Sequence, residues 1–397
     1  MKKFVLLIVL LSYSLTLNAQ LTQQQVDDFY KKFKLENQSE FDKMFSKSFL
    51  AKVPVDKIAG ILTDFSAKYG KFEKAILKSG NTLEILYEKA KMPGTLTFDN
   101  EGKVVGLWYG MPTLISDSLS AIKEELLKLK GDVSICIKKD SDVIFEINKS
   151  KPLAIGSTFK LYVLKALKYQ FDSGKIKYED VVNLKEKSLP SGILQNWPED
   201  TPITIATLAN LMISISDNTA TDALIRKLGR DYIEKYAPET MKPFYMTSEL
   251  FRLKLGLKDE EIKSFIAMDV PVKREYLKTL NKIKISDLDA SKFSKPIFID
   301  LEWYSTTEEL CNVMMFLKFS PHLAINPGLA DKDDWNYVGF KGGSEPGVLN
   351  YTHILVKDKD KTPFTISATI NDHDKNVDEG HEFTLLVTRL IQYLKKQ

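Results

Sequence analysis

The chain has 397 residues, of which 44% are hydrophobic and 27% are charged, with a formal net charge of +3 at pH 7. This composition is typical of a folded globular protein, and the length favours two domains over one. The small net charge excludes an extensive basic surface, so we expect no nucleic-acid partner.

The first 19 residues have the pattern of a secretory signal peptide. Lys2 and Lys3 precede an apolar run from Phe4 to Leu11, and the segment ends at the small residue Ala19. Its end contains no cysteine, so a lipid anchor is not indicated. No later run has the roughly 18 apolar residues of a membrane helix. We therefore expect an exported, periplasmic or secreted monomer without a membrane anchor.

Residues 20–112 are predicted to form a first domain of the α+β class. Two or three amphipathic helices precede strands such as Leu83–Tyr87. Strands at Gly94–Phe98 and Val104–Tyr109 flank a turn at Asn100–Gly102, which is typical of an antiparallel pair. This domain contains no cluster of catalytic residue types.

Residues 113–397 are predicted to form a second domain. A helix at Ser116–Leu129 precedes strands at Val133–Lys138 and Val143–Asn148, and helical sequence dominates from Ser157 to about Leu317. Three more strands and a final helix follow, at Tyr337–Lys341, Tyr351–Lys357, Phe364–Asn371 and Gly380–Leu394. The pattern predicts a five-stranded antiparallel sheet with an all-helical lobe and a site in a cleft between them.

Ser157 and Lys160 lie three residues apart at a predicted helix start. Backbone N–H groups there lack intrahelical partners, and both side chains share one face of the first turn. A lysine in a partly buried site has a lowered pKa and can take the serine proton. The alternative is a helix cap followed by a solvated lysine, which we assume for Ser120 and Lys123.

Two further clusters complete the candidate site. Ser216, Asp217 and Asn218 form a polar loop between two apolar helices, although they are also good helix caps. The strand from Trp335 to Gly343 contains Lys341, although a lysine on an edge strand is also protective. The N–H groups of Ser344 and Ser157 could together bind an oxyanion.

In order and context, these three clusters resemble the class A serine β-lactamases and their penicillin-binding relatives, from about Ser116 to Gln397. The resemblance implies Ser157 as nucleophile and Lys160 as acylation base or its partner. It further implies substrate contacts of Asn218, Lys341, Gly343 and Ser344, and a proton relay to the leaving nitrogen through Ser216. No cofactor or metal is implied, and the partner would be a small acyl compound such as a β-lactam.

Two positions depart from the family pattern. Gly342 replaces the threonine after the lysine, which removes a hydroxyl that Ser344 replaces only in part. Glu249 is the nearest candidate for the deacylating glutamate, but no asparagine follows it at the matching place. A first-turn glutamate is also favoured by the helix dipole, and we prefer that interpretation.

The remaining motifs are weaker. The first domain resembles the cone-shaped NTF2-like domains in its order of helices and strands. Cys136 and Cys311 give no indication of whether they pair. The four histidines show no metal-ligand spacing, including His373 between two aspartates.

The sequence therefore predicts an exported serine hydrolase that opens β-lactams through an acyl-enzyme on Ser157. Two alternatives stay open. One is an esterase or D-Ala-D-Ala peptidase on the same fold, and the other is a penicillin-binding receptor that deacylates slowly, because a positioned base is typically worth a hundredfold or more in rate.

Overall fold

The computed structural model describes residues 21–110, 112–358, 362–377 and 382–397. The chain divides into two compact units, with the division between Ser118 and Leu119. The predicted signal peptide lies outside the described residues. Within them, no helix has the length and apolar character needed to span a membrane.

The first unit consists of helices followed by an antiparallel sheet. Its helices are α1 (Gln23–Lys32), α2 (Phe41–Met44), α3 (Lys47–Leu50) and α4 (Val55–Tyr69). Its strands are β1 (Phe72–Ser79), β2 (Thr82–Tyr87), β3 (Ala90–Phe98), β4 (Val104–Tyr109) and β5 (Thr113–Leu114). The sheet order is β1-β2-β3-β4, with β5 paired to β3.

The core of this unit is rich in aromatic rings, because the helices contribute Phe29, Phe41 and Phe49 to the core that they form with the sheet. The predicted pairing of β3 with β4 is confirmed, and Gly94 lies opposite Tyr109. The sequence did not reveal β1, whose charged residues interrupt its apolar pattern. The NTF2-like resemblance stays a prediction.

The second unit contains the predicted five-stranded antiparallel sheet. Its long strands are β6 (Asp132–Lys139), β7 (Asp142–Ile147), β12 (Tyr337–Glu345), β13 (Val348–Val356) and β14 (Phe364–Asn371). They are arranged in the order β12-β13-β14-β6-β7. Four short strands, which were not predicted, form two further pairs: β8 (Leu153–Ala154) with β11 (Tyr304–Ser305), and β9 (Val181–Asn183) with β10 (Pro202–Thr204).

Helices cover both faces of this sheet. One face packs against α5 (Leu119–Leu126) and α14 (Glu382–Lys395). The other faces the helical lobe, which includes α6 (Lys160–Asp172), α7 (Ile205–Ser214), α8 (Asn218–Leu228), α9 (Arg230–Ile233), α10 (Thr247–Gly256), α11 (Asp259–Ile266), α12 (Val270–Leu277) and α13 (Thr307–Phe316). The predicted α+β architecture is confirmed.

Two predicted element bounds were wrong at functionally relevant places. The α-helix begins at Lys160, because Gly156–Phe159 forms a 3₁₀ turn before it. Strand β12 continues to Glu345, because Gly342 and Gly343 stay paired with Tyr351 and Asn350 of β13 despite the low strand propensity of glycine.

The two cysteines lie next to each other in the second unit. Cys136 is on β6, Cys311 is on α13, and the Cys311 thiol donates to the Cys136 carbonyl at 3.3 Å. Both are buried free thiols in this structure.

The chain just before Ser157 is fastened to the sheet by one side chain. Asn371, the last residue of β14, accepts from Ala154 N–H at 2.8 Å and donates to Ala154 O at 2.9 Å. Ile155 N–H donates to Trp303 O at 3.0 Å, and the Trp303 ring stacks on Phe159. These contacts fix the entry to the 3₁₀ turn.

The Asn371→Ala variant tests this attachment. It leaves a buried N–H and a buried C=O of Ala154 without partners, so we expect a loss of about 2–4 kcal/mol in the free energy of unfolding. Urea titration of the full chain measures the loss. Asn376→Ala, at an exposed amide, should change it by less than about 0.5 kcal/mol, and equal midpoints for the two variants would contradict the argument.

Candidate active site

Ser157 lies in the 3₁₀ turn against strand β12. Gly156 precedes it with a φ of +48°, a conformation that favours glycine. A Cβ added to Gly343 would lie 2.8 Å from Ser157 N and 2.0 Å from Ile155 O, so only glycine allows the strand to approach the turn this closely. The nucleophile candidate is therefore positioned by two glycines.

Lys160 is completely buried one turn further on, at the start of α6. Its Nζ donates to Ser216 O at 2.7 Å, to Ser216 Oγ at 3.0 Å and to Asn218 Oδ1 at 2.7 Å. Burial lowers the pKa of Lys160 to about 7, and the nearby Asp222 and Asp217 carboxylates limit the decrease. Near neutral pH, the amine is therefore poised between its charged and neutral forms.

Lys341 reaches the same hydroxyl from the sheet. Its Nζ donates to Ser216 Oγ at 3.1 Å and also contacts Gly342 O. Burial and the neighbouring Lys160 hold the pKa of Lys341 well below its usual range. Ser216, which has a left-handed backbone conformation with a φ of +58°, thus connects two lysines from opposite sides of the site.

Asp217 holds the loop that contains Ser216 and Asn218. Its carboxylate caps α8 by accepting from Ala220 N–H at 2.9 Å. The same carboxylate accepts from Ile193 and Leu194 N–H groups at 2.7 and 2.9 Å. The capping that the sequence suggested as an alternative function for this motif is therefore real, and it coexists with the contacts to Lys160.

Asn218 is held on both sides of its amide. Its Oδ1 accepts from Lys160, and its Nδ2 donates to Leu189 O at 2.9 Å. Because a primary amide has two N–H groups, one is left to donate to a ligand. This geometry suits the predicted contact with a substrate amide.

The backbone of Ser344 lies beside the 3₁₀ turn. A Cβ on Gly156 would be 3.2 Å from Ser344 N, and the neighbouring Gly343 approaches Ser157 N. The two amide groups predicted to bind an oxyanion are thus brought to the same place by adjacent close contacts. The Ser344 side chain itself is exposed.

A buried polar network behind the turn was missed by the sequence analysis. Thr158 Oγ1 donates to Asn350 Oδ1 at 2.8 Å, and Asn350 also bonds to Thr352 and Thr369. Alternating polar residues along β13 and β14 were the available signal. The network ties the serine turn to the centre of the sheet.

Both carboxylate oxygens of Glu249, in the first turn of α10, accept hydrogen bonds. Its Oε1 accepts from Arg230 at 2.6 Å, and its Oε2 accepts from Met246 N–H at 2.8 Å. Burial raises the pKa of Glu249, while Arg230 opposes the rise. These contacts match the helix-capping interpretation, and nearby Asp222 fixes the same helix start through Thr247 and Ser248 N–H groups.

Glu345 is a second glutamate that the sequence analysis did not consider. It lies on β12, on the same face as Lys341 and Gly343, since side chains alternate along a strand. Its Oε2 is buried without a hydrogen-bond partner among the described residues. An acidic residue two positions after Gly343 was visible in the sequence. It was not considered, because the strand was predicted to end at Gly343.

The other sequence candidates lie apart from this cluster. Ser120 and Lys123 lie exposed on α5, where Lys123 Nζ is 6.0 Å from the centre of the Phe145 ring. Within the described part of the chain, no group of three or more histidine, cysteine, aspartate or glutamate side chains could hold a metal ion. His381 lies outside the described residues.

Comparison with known proteins relates the second unit to one family. Residues 118–267 match the family model described as the β-lactamase enzyme family. This segment includes Ser157, Lys160 and Ser216, whereas Lys341 lies beyond it. β-Lactamase VEB-1 from Pseudomonas aeruginosa is 26% identical over 129 residues, which cover 30% of this chain and 43% of that relative.

Solved structures similar to the chain include two β-lactamases. A β-lactamase from Sphaerobacter thermophilus has a TM-score of 0.49 and 18% identity, covering 70% of this chain and 97% of that one. An ancestral class A β-lactamase has a TM-score of 0.46 and 15% identity, covering 70% and 100%.

The Asp217→Ala variant tests the loop anchor. It leaves the buried N–H groups of Leu194 and Ala220 and the partly buried one of Ile193 without an acceptor, so we expect a loss of roughly 3–5 kcal/mol in the free energy of unfolding. Amide exchange at Ile193 and Leu194 should become faster. Asp331→Ala removes an exposed cap to Asp333 N–H and should cost about 1 kcal/mol or less. Unchanged exchange at Ile193 and Leu194 would refute the anchoring role.

Proposed function

We propose that the second unit, whose residues 118–267 match the β-lactamase enzyme family model, is a serine hydrolase of the class A β-lactamase type that opens β-lactam rings through an acyl-enzyme on Ser157. The substrate would be a small acyl compound, and the site would need no cofactor. We also propose that the protein is exported, on the basis of its N-terminal sequence.

The observation that carries this proposal is the buried Lys160 amine, one turn from Ser157. Its three hydrogen-bond acceptors match the three protons of an ammonium group. In the neutral form, one lone pair is available to accept the Ser157 hydroxyl proton. A pKa of about 7 makes that form abundant at neutral pH, which is what a general base requires.

The proposed acylation step uses the side chains of Ser157, Lys160 and Ser216. As Lys160 takes the proton, Ser157 Oγ bonds to the lactam carbonyl carbon. The backbone N–H groups of Ser157 and Ser344 stabilise the negative charge on the carbonyl oxygen. The lactam C–N bond breaks, and Ser216 Oγ, which contacts Lys160, delivers a proton to the leaving nitrogen.

Lys341 and Asn218 would hold the substrate on either side of the reacting bond. Lys341 attracts a carboxylate and, through its contact with Ser216 Oγ, favours proton delivery. Gly342 removes a hydroxyl from this carboxylate pocket, which favours substrates that depend less on that contact. An ester or a D-Ala-D-Ala peptide is therefore the second candidate substrate class.

Intact-mass spectrometry with benzylpenicillin tests the proposal. We expect the wild-type chain to gain the mass of one penicillin, and Ser157→Ala to gain none, because the nucleophile is removed. Ser120→Ala is the matched control and should be acylated like the wild type. An adduct that persists in Ser157→Ala, or that never forms in the wild type, would refute the acyl-enzyme.

The pH dependence of acylation tests the role of Lys160. Because the neutral amine is the base, the acylation rate should rise as the pH passes through about 7 and level off above it. Lys160→Arg keeps a side chain that stays protonated at these pH values. Its acylation rate should therefore fall at least about a hundredfold and no longer rise with pH. Quenched mass spectrometry between pH 5.5 and 9 measures both. A wild-type rate that is flat across this range would contradict the role.

A further inference from the structure

Glu345 is a partly buried acidic residue of the site without an assigned role. It is the last residue of β12 and pairs with Val348 across the hairpin. One of its carboxyl oxygens, Oε2, is buried and has no hydrogen-bond partner among the described residues. A buried polar atom without a partner is costly, and such atoms are concentrated at functional sites.

Strand geometry places Glu345 on the face of β12 that packs against the Ser157 turn. Gly343 approaches Ser157 N, and Glu345 follows on the same face two residues later. Since a strand rises about 3.4 Å per residue, the Cα atoms of Gly343 and Glu345 are about 7 Å apart. The Glu345 carboxyl group and the Lys160 amine also act on each other electrostatically, so both lie on the Ser157 side of β12.

Charged groups surround Glu345 on three elements. Glu302 forms a buried ion pair with Lys254 of α10, and Lys160 lies at the start of α6. Burial and the Glu302 charge raise the pKa of Glu345 to about 8, while Lys254 and Lys160 oppose the rise. The carboxyl group is therefore mostly protonated at neutral pH.

We propose that Glu345 is the general base that activates water for hydrolysis of the acyl-Ser157 ester. The inference rests on the proposed acyl-enzyme. Glu249 is less suited, because Arg230 and Met246 already occupy both of its oxygens, whereas Oε2 of Glu345 has no partner among the described residues.

The step is balanced without any further reactant. The Glu345 carboxylate takes one proton from water as the water oxygen bonds to the ester carbonyl carbon. The tetrahedral intermediate, held by the N–H groups of Ser157 and Ser344, then expels Ser157 Oγ. This oxygen recovers the proton, and the product leaves as a carboxylic acid.

This assignment separates the two halves of the reaction by pH. Below pH 8, Glu345 holds its proton and cannot accept one from water. The acyl-enzyme should therefore persist at neutral pH, and deacylation should accelerate as the pH rises through about 8.

A deacylation time course tests the proposal. The full-length protein is acylated with benzylpenicillin, freed of excess drug, and followed by intact mass at pH 6 to 9.5. We expect the deacylation rate of the wild type to rise as the pH passes through about 8. Glu345→Gln should acylate normally but deacylate at least about tenfold more slowly above pH 8, without the rise. Glu124→Gln, which removes an exposed carboxylate of α5, should behave like the wild type.

Other outcomes overturn the proposal. Equal deacylation by Glu345→Gln and the wild type would exclude Glu345, as would a wild-type deacylation rate that is flat or absent throughout. If Glu345→Gln does not fold, Glu345→Asp retains the carboxylate, and a wild-type-like pH rise with a lower plateau would support the role. Failure of the wild type to acylate would refute the proposed function itself, which the zero-time mass distinguishes from a failure to deacylate.

Discussion

Burial of the Lys160 amine is the constraint on which the rest of the site depends. A cation removed from water must be matched by acceptors, and all three come from Ser216 and Asn218. That loop keeps its shape because Asp217 binds the N–H group of Ala220 in α8 and that of Ile193 in a separate segment of the lobe. The lowered pKa is thus a property of the whole helical lobe, which supplies both the desolvation and the nearby carboxylates that moderate it.

The sheet supplies the opposite wall through its edge strand. Because Gly343 lacks a side chain, β12 lies directly against the Ser157 turn, and the backbone amides of the two elements become neighbours. Behind that turn, Thr158 bonds to Asn350 and Asn371 bonds to Ala154, so the strands fix the Ser157 turn through side chains. Close backbone packing and buried polar contacts therefore act together at this edge.

Much of this arrangement could be predicted from the sequence. Strand and helix periodicity gave the sheet and the lobe, and the resemblance of three short motifs, in order, to the class A serine β-lactamases led to Ser157, Lys160, Ser216 and Lys341. Tertiary pairing decided the rest. The end of β12 depended on partners in β13, so the strand was predicted to end at Gly343, before Glu345. The contact of Glu249 with Arg230 was equally inaccessible, because it joins two helices whose packing no local pattern specifies.

The charges of Lys160 and Glu345 act on each other, and this links the two halves of the proposed reaction. The Glu345 carboxylate raises the pKa of Lys160, and the Lys160 cation lowers that of Glu345, so each group favours the charged form of the other. Acylation requires a neutral amine, which a protonated Glu345 favours, whereas hydrolysis requires the Glu345 carboxylate. In the proposed mechanism, such a site would be set for acylation at neutral pH and would reach its hydrolytic state only when a second proton has left.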